Sequence, residues 1–320
     1  MTDTPGKAID FMGLRKVFAV VSVVLVLVSA VLIGVRGLNF GLDFTGGTSV
    51  ELEYTEAPEL DDVRSILSDA GYTNYVVQNF GSDTLVLIRM QEAGDDQLGL
   101  RILADIEQRT DSDVTLVSSE FVGSQVGDEL KEDSGLGMLL ALAVVLIYVG
   151  MRFQFKFGIA SVIPLAHDVI IVLGLFALFQ WTFDLTVLAA LLAVIGYSLN
   201  DTIVIMDRIR ENFRKLRVDD PEETINQSIQ ETINRTINTS LTTLLVLMAL
   251  YFLGGEAINN FAITLAIGVV VGTYSSIYVA ANMLITLGVT RADMVIPPKE
   301  GVAGEQAEEE EEPPEWLNRM

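Results

Sequence analysis

Ionisable side chains lie inside long apolar stretches at three places in this sequence of 320 residues. Asp201 follows Asn200 in one stretch, Arg235 begins another, and His167 and Asp168 lie side by side in a third. A charged side chain at the centre of a bilayer costs about 2.5–3.5 kcal/mol on insertion scales. Each of the three places is therefore a candidate functional site.

Asp201 and Arg235 are expected at similar depths on consecutive helices. At ~1.5 Å per residue, Asp201 lies ~24 Å from the start of its apolar stretch at residue 185. An ion pair with Arg235 would offset the cost of burying either charge, and protonation of Asp201 would then release the arginine. The two residues therefore predict a proton-driven switch. The simpler alternatives are a carboxylate that only joins two helices and an arginine that extends to the aqueous interface.

Polar side chains continue along one face of the helix that Arg235 begins. They recur at helical spacing as Asn238, Thr239, Thr242 and Thr243. A membrane helix with such a stripe is expected to turn it toward the bundle interior or a water-filled cavity. The stripe therefore predicts a polar path beside the expected ion pair.

His167 is the only histidine in the sequence, which argues against a metal site because other histidine ligands are lacking. Hydrogen bonds from His167 and Asp168 to a neighbouring helix are the favoured interpretation, and a proton relay is the alternative. Small residues recur at every fourth position of the last apolar stretch, a spacing that lets another helix pack closely. These residues are Thr264, Gly268, Gly272, Ser276 and Ala280.

The composition favours a membrane protein. Half of the residues are hydrophobic and they are clustered, whereas the acidic residues responsible for a net charge of −23 lie outside the apolar stretches. The acidity argues against nucleic-acid binding, which needs a basic face. The absence of cysteine excludes disulfides, thiolate metal sites and cysteine nucleophiles. We expect neither a cofactor nor a metal.

Six apolar stretches approach the ~20 residues that a helix needs to cross a bilayer. They cover residues 17–35, 136–151, 157–179, 185–206, 237–253 and 258–287. The second and fifth are short and are expected to extend into their polar flanks. The first is interpreted as an uncleaved span, because its apolar core is too long for a typical signal peptide. Residues 136–289 would then hold spans two to six.

Lysine and arginine set the expected orientation. They occur in residues 1–16 and in the segments after the second and fourth spans, whereas the short segments after the third and fifth spans have none. Because cytoplasmic loops carry the excess of positive charge, both termini are predicted to be cytoplasmic. Residues 290–320 form an acidic tail whose composition is typical of disorder.

Residues 38–133 would then be exported as a small domain. Hydrophobic periodicity predicts strands at 49–54, 75–79, 84–90 and 113–118 and helices at 59–69 and 95–109. This βαββαβ order is typical of a ferredoxin-like fold. No catalytic set of residues is visible in it. Gly46 and Gly47 predict a tight turn at its start, since the Lys-Ser/Thr of a phosphate-binding loop is missing.

Longer motifs carry a family resemblance. They are NFGLDFTGGT at 39–48, HDV at 167–169, LTVLAALLAVIGYSLNDTIV at 185–204, DRIRENFR at 207–214, NRTINTSLTT at 234–243 and GVVVGTYSSI at 268–277. Together they resemble the SecD/SecF family of bacterial protein-export membrane proteins, in the RND-type superfamily. Met206 stands where an aromatic residue is expected in that family, and the acidic tail is not typical of it.

The resemblance implies an α-helical polytopic membrane protein of the bacterial inner membrane. Its six transmembrane helices would form half of an RND-type bundle, with a ferredoxin-like α+β periplasmic domain between helices 1 and 2. The implied partners are SecD, the SecYEG channel, the translocating polypeptide and, as a further candidate, YajC. The implied function is late-stage translocation driven by the proton-motive force, with the family's intramembrane acid and arginine at Asp201 and Arg235.

Other functions are also open to the sequence. A small-molecule exporter of the same superfamily would need a partner and a substrate cleft, because such proteins generally carry larger exported domains. An intramembrane aspartyl protease could use Asp168 and Asp201, although the Gly-x-Gly-Asp context usual in such enzymes is absent. The chain could also act only as a scaffold for its partner.

Overall fold

The computed structural model describes residues 9–90, 97–110, 112–216, 220–255, 258–290 and 293. Most of the acidic tail predicted at 290–320 lies outside them. In the described part, six helical segments are long and apolar enough to cross a membrane. They are α1 (Arg15–Arg36), α5 (Ser124–Arg152), α6 (Phe155–Phe179), α7 (Leu185–Lys215), α8 (Pro221–Leu253) and a last segment that starts with α9 (Asn259–Ser275).

The last span changes helical type part-way along. After α9 come a π-helical turn at Ser276–Ala280 and then α10 (Ala281–Thr286). Single π-helical turns inside α-helices are frequent at functional sites. The expected extension of the short second and fifth spans is confirmed, since α5 and α8 both begin more than a turn before their apolar stretches.

The domain between α1 and α5, which was predicted to be exported, has the expected ferredoxin-like fold. Its strands are β2 (Gly47–Tyr54), β3 (Tyr75–Phe80), β4 (Ser82–Met90) and β5 (Val114–Val122), with α3 (Leu60–Asp69) after β2 and α4 (Leu98–Glu107) after β4. The strands form an antiparallel sheet in the order β3-β4-β2-β5. Alternate residues such as Val50, Leu52 and Ile88 are fully buried with Leu67 and Ile102 of the two helices. Burial of one sheet face against two amphipathic helices holds the domain together without disulfides.

The second span begins inside the predicted exported domain. Helix α5 runs without a break from Ser124 to Arg152, so residues 124–133, which were predicted to belong to the domain, continue directly into the membrane helix. The sequence hides this helix start because the residues are polar there and carry no apolar stripe.

A short segment between α1 and the sheet packs against the connection between α6 and α7. It contains β1 (Asn39–Phe40) and the single turn α2 (Leu42–Thr45). Strand β1 pairs in parallel with β6 (Thr182–Phe183), which lies between α6 and α7. Gly46 and Gly47 follow at φ +67° and +123°, a backbone region that glycine adopts readily. The predicted tight turn is confirmed.

Helices α6, α7 and α9 form the centre of the bundle. In each of these spans, half of the residues in the most apolar 18-residue stretch are buried. In α1, α5 and α8 only 6–17% of the corresponding residues are buried. The buried side of α7 contacts α6, α8 and α9. Helix α7 is therefore the element through which the polar residues of the membrane part are brought together.

Candidate functional site

Asp168 joins three helices at the centre of the bundle. Its Oδ2 accepts hydrogen bonds from Ser198 Oγ of α7 at 2.5 Å and from Ser275 Oγ of α9 at 2.9 Å. Its Oδ1 lies 2.9 Å from Nδ1 of His167 on the same helix. Asp168 is 1% exposed, and these donors satisfy a carboxylate that would otherwise be costly to bury. The hydrogen-bonding role favoured for this residue fits the geometry.

His167 extends this cluster toward α1. Its Nε2 is buried and has no hydrogen-bond partner among the described residues. Its ring lies 6.1 Å from that of Tyr274, centroid to centroid. The Tyr274 hydroxyl donates to the carbonyl oxygen of Phe18 at 3.0 Å and lies 2.7 Å from Ser22 Oγ. Polar contacts therefore connect α1 with α9, beside the hydrogen bonds of Asp168.

The small residues of α9 let it lie close against α7. A Cβ atom added at Gly268 would come within 2.1 Å of Val194 Cγ2, and one added at Gly272 within 3.0 Å of Ser198 Cβ. Ser276 is buried and begins the π-helical turn directly after Ser275. Close packing at this seam places the Ser275 hydroxyl within reach of Asp168.

Asp201 is buried in a different way from Asp168. It is 3% exposed, and its Oδ2 has no hydrogen-bond partner in the part of the chain that the structure describes. The hydroxyls of Thr202 on α7 and of Thr236 on α8 are also buried without a hydrogen-bond partner among the described residues. An ionised carboxylate needs donors when it is buried. A change in the protonation state of Asp201 therefore changes the number of hydrogen-bond donors that the surrounding helices must provide.

The predicted ion pair between Asp201 and Arg235 is not formed. Arg235 is exposed, and no salt bridge within 4.0 Å joins it to Asp201 among the described residues, although it is near enough for a coulombic interaction. The prediction of direct contact is wrong because α8 turns Thr232, Thr236 and Ser240 inward instead. Helix α8 has two polar faces, and the one without the arginine packs against the bundle.

The polar stripe on α8 also faces outward in this chain. Asn238, Thr239 and Thr242 are exposed and Thr243 is half-buried, so the stripe does not face the interior of the six-helix bundle that this chain forms. The alternative expectation, a water-filled cavity, stays a prediction. The threonine hydroxyls donate to carbonyl oxygens on their own helix, for example Thr242 to Asn238 at 2.9 Å. These bonds lower the cost of exposure for the threonines. These bonds do not lower the cost of exposing the charge of Arg235 or the side-chain amide of Asn238 to lipid.

A second outward line lies on α7 and was missed from the sequence. Ala189, Ala193, Gly196 and Asn200 are exposed and follow one another at spacings of four, three and four residues. No heavy atom lies within 4 Å of the position that a Cβ would take at Gly196. Small residues at this spacing allow close helix contact. The spacing was visible in the sequence, but it does not show that the residues are exposed.

A cleft between the C-terminal part of α7 and the N-terminal half of α8 lies beside Arg235. Its volume is ≈ 290 Å³, close to the lower end of the range for ligand pockets. It is lined by Ile203, Val204, Asp207, Arg208, Glu211, Glu231, Thr232 and Arg235. Arg208 pairs there with Glu211 at 2.9 Å and with Glu231 at 3.5 Å. The cleft is therefore polar and charged, and its lining on α7 begins two residues after Asp201.

The geometry does not favour an aspartyl protease. Such enzymes need two carboxylates close enough to share a proton. Asp168 is occupied by two serine hydroxyls and His167, and no hydrogen bond joins it to Asp201 in the described residues. A search of the same residues finds no cluster of three or more histidine, cysteine or acidic side chains that could hold a metal ion.

Comparison with known proteins places the chain in a family. Residues 102–290 match the family model of the protein export membrane protein SecD/SecF, C-terminal, and residues 31–58 match that of the SecD/SecF GG motif. The chain belongs to the SecD/SecF family. The first match covers α5 to α9 with both Asp168 and Asp201, and the second covers the segment that contains β1, α2 and Gly46–Gly47.

Relatives of similar length in this family are translocase subunits. Protein translocase subunit SecF of Pseudomonas aeruginosa is 50% identical over 90% of this chain and 94% of its own length. The SecF of Vibrio alginolyticus is 44% identical over 96% and 98%, and that of Escherichia coli O157:H7 is 43% identical over 90% and 91%. The chain is accordingly an accessory subunit of protein translocation in the inner membrane, a transport component by family rather than a catalyst.

A solved structure of the SecD/SecF family has the same fold. The crystal structure of SecDF, a translocon-associated membrane protein from Thermus, matches with a TM-score of 0.82 and 35% identity. A second SecDF structure, in a super-membrane-facing form, matches with a TM-score of 0.67 and 34% identity. The match covers 90% of this chain but only 40% of each SecDF chain. The recognised family and the six-span fold with its α+β domain are thus confirmed.

The seam between α7 and α9 can be tested with two glycine substitutions. Gly268→Ala should lower the melting temperature of this SecD/SecF protein in detergent micelles, because the new methyl group overlaps Val194. Gly137→Ala on α5 is the control, since nothing lies within 4 Å of its Cβ position. That change should leave stability equal or raise it by up to ~1 kcal/mol, as alanine favours a helix over glycine. Equal melting temperatures for the two variants would contradict the packing.

Proposed function

We propose that this subunit couples proton movement to the export of polypeptides, and that Asp201 is the group that takes up and releases the proton. The observation that carries the proposal is the contrast between two buried carboxylates. Asp168 has its hydrogen-bond donors in place, whereas Asp201 has an unpaired oxygen. A carboxylate that the helices do not fully satisfy is suited to change its protonation state during a working cycle.

The cleft between α7 and α8 supports a proton route from Asp201 to the cytoplasm. It reaches the level of Arg235 and Ile203, two residues beyond Asp201 on α7. Because the cleft is lined by charged side chains, it can hold water. Arg235 at its edge is near enough to Asp201 for a coulombic attraction, although no salt bridge joins the two among the described residues. Asn200, Thr239, Thr242 and Thr243 belong to the exposed faces on either side of this route.

We further propose that SecD covers the exposed polar faces of α7 and α8. Lipid tails cannot pair with the Arg235 guanidinium or the Asn238 amide, so another protein or enclosed water must do so. The apolar residues Ile237 and Leu241 lie on a different side of α8 from Arg235 and can face lipid. The polar side adjoins the line of small residues on α7, which allows close contact. This chain spans 40% of the SecDF chain that it resembles, which leaves room for such a partner.

The expected setting is the complete export machinery. The proposal includes cytoplasmic N- and C-termini, an exported α+β domain, the SecYEG channel and YajC as associated components, and the proton gradient as the energy source without a cofactor. The positive residues Arg152, Lys156 and Arg208 lie at the ends of helices that the same orientation places in the cytoplasm. A role in the late stage of translocation, through the exported domain, belongs to the same proposal.

The proton-coupling role predicts a specific loss in Asp201→Asn. The variant should insert and bind SecD normally, because asparagine has nearly the same volume. It should lose the part of preprotein export that depends on the proton gradient, measured in inverted membrane vesicles with and without an uncoupler. Asp220→Asn is the matched control, since Asp220 caps α8 in the cytoplasm and asparagine caps equally well. Gradient-dependent export at the wild-type level in Asp201→Asn would contradict the proposal.

The SecD interface predicts a different effect at Gly196. Leucine at this exposed position should weaken co-purification of SecD by about tenfold, equivalent to ~1.4 kcal/mol, while the melting temperature of the isolated chain stays unchanged. Gly34→Leu on α1 is the control, because Gly34 is equally free of neighbours but lies away from the polar faces. Undiminished co-purification of SecD with Gly196→Leu would place the partner on another face.

A further inference from the structure

We propose that the segment Asn39–Gly47, called the clamp below, transmits movements of α7 to the exported domain, and that Asp43 is the positioning residue at its centre. The clamp contains β1, α2 and the paired glycines. The inference rests on the proposed function, because it supplies the path by which a change at Asp201 reaches the domain outside the membrane. It is carried by contacts on both sides of the clamp.

Asp43 holds the first turn of α7. Its Oδ2 accepts a hydrogen bond from the backbone N–H of Leu185, the first residue of that helix, at 2.9 Å. The first N–H groups of a helix have no partner within the helix, and a negative charge there is favourable. The N-cap residue Asp184 accepts from Val187 N at 2.9 Å. The start of α7 is thus capped by one local carboxylate and by one that is 142 residues away in sequence.

The backbone of the clamp is also paired with the α6–α7 turn. Strand β1 runs parallel to β6, and Gly41 N donates to the carbonyl oxygen of Phe183 at 2.8 Å. The Asn39 amide donates to the carbonyl oxygen of Gln180 at 2.9 Å. Phe44 is 3% exposed and stacks on Phe183 with ring centroids 5.8 Å apart. These contacts fix the clamp to α7 in both position and direction.

The other side of the clamp is continuous with the exported domain. Gly46 and Gly47 lead directly into β2, the inner strand next to β5. Helix α5 touches the clamp at Gly127, where an added Cβ would lie 2.8 Å from Gly46 N. Arg89 of β4 donates to Thr182 Oγ1 at 2.8 Å. The two chain connections between the domain and the membrane therefore meet at one place.

Next to the clamp, open space separates part of the sheet from the bundle. A crevice of ≈ 440 Å³ lies between the uncovered sheet face and the outer ends of the helices, lined among others by Glu51, Gln78, Trp181 and Asn260. This space leaves the domain free to tilt about the clamp. A straight helix transmits rotation along its length, and Asp201 lies ~24 Å from Leu185 on the same helix. A tilt of α7 caused at Asp201 would therefore move Asp43 and the sheet together.

The test measures whether the domain follows α7. The native chain has no cysteine, so spin labels can be placed at Val76→Cys on β3 and Leu253→Cys at the end of α8, both exposed. The labelled chain is reconstituted with SecD, and the distance between labels is measured with Asp201 intact and with Asp201→Asn as the protonated mimic. We expect Asp201→Asn to shift the distance, and Asp43→Ala to remove that shift.

Asp43→Asn separates the hydrogen bond from a general loss of structure. Its amide oxygen can still accept from Leu185 N, so the shift should persist. Gradient-dependent export should fall by about fivefold or more in Asp43→Ala, as expected for a lost cap of ~1 kcal/mol, and remain near the wild-type level in Asp43→Asn. Asp83→Ala, at an exposed carboxylate at the start of β4, is the control and should behave as wild type.

The inference can fail while the proposed function stands. If Asp43→Ala keeps both the distance shift and gradient-dependent export, whereas Asp201→Asn loses export, the clamp does not transmit the change. If Asp201→Asn produces no shift with Asp43 intact, the domain does not follow α7 and the inference is also overturned. Normal export in Asp201→Asn, by contrast, would overturn the proposed function itself.

Discussion

The bilayer core contains no water that could pair with a buried polar group, and the whole membrane part of this protein is shaped by that constraint. Asp168 meets it with hydroxyl groups from α7 and α9, and this requirement draws three helices together around one carboxylate. The glycines of α9 allow the approach. Asp201 does not meet it within the described chain. A carboxylate with its donors in place and one with an oxygen that has no partner among the described residues therefore lie on neighbouring helices.

The same constraint supports the proposal that a partner covers part of this chain. An exposed arginine, an exposed asparagine amide and a line of small residues on adjacent helices form a surface that lipid cannot satisfy. The apolar stretches of α1 and α5 at residues 17–35 and 136–151 are exposed in another way, since their outward residues are almost all apolar. Two kinds of exposed surface thus divide the bundle into a lipid side and a protein side. Asp201 lies close to the protein side, where a partner can change its surroundings.

Sequence patterns predicted well which helices and strands form. They predicted poorly which side of a helix faces the bundle. The six spans, the βαββαβ order and the turn at Gly46 follow from local hydrophobicity and glycine, and the structure agrees. The side of α8 that faces the bundle depended on packing, because Arg235 and Thr236 begin two different polar faces and periodicity cannot rank them. The cap from Asp43 to Leu185 joins residues far apart in sequence, and no local pattern carries such a contact.

The central claim is that Asp201 changes its protonation state in the assembled membrane protein. The most direct measurement is pH-dependent infrared difference spectroscopy on the chain reconstituted with SecD, which detects the C=O stretch of a protonated carboxyl group. The account predicts a carboxyl band that appears with acidification in the wild type and in Asp220→Asn and is missing in Asp201→Asn. Difference spectra with the same carboxyl bands in the wild type and in Asp201→Asn would contradict it.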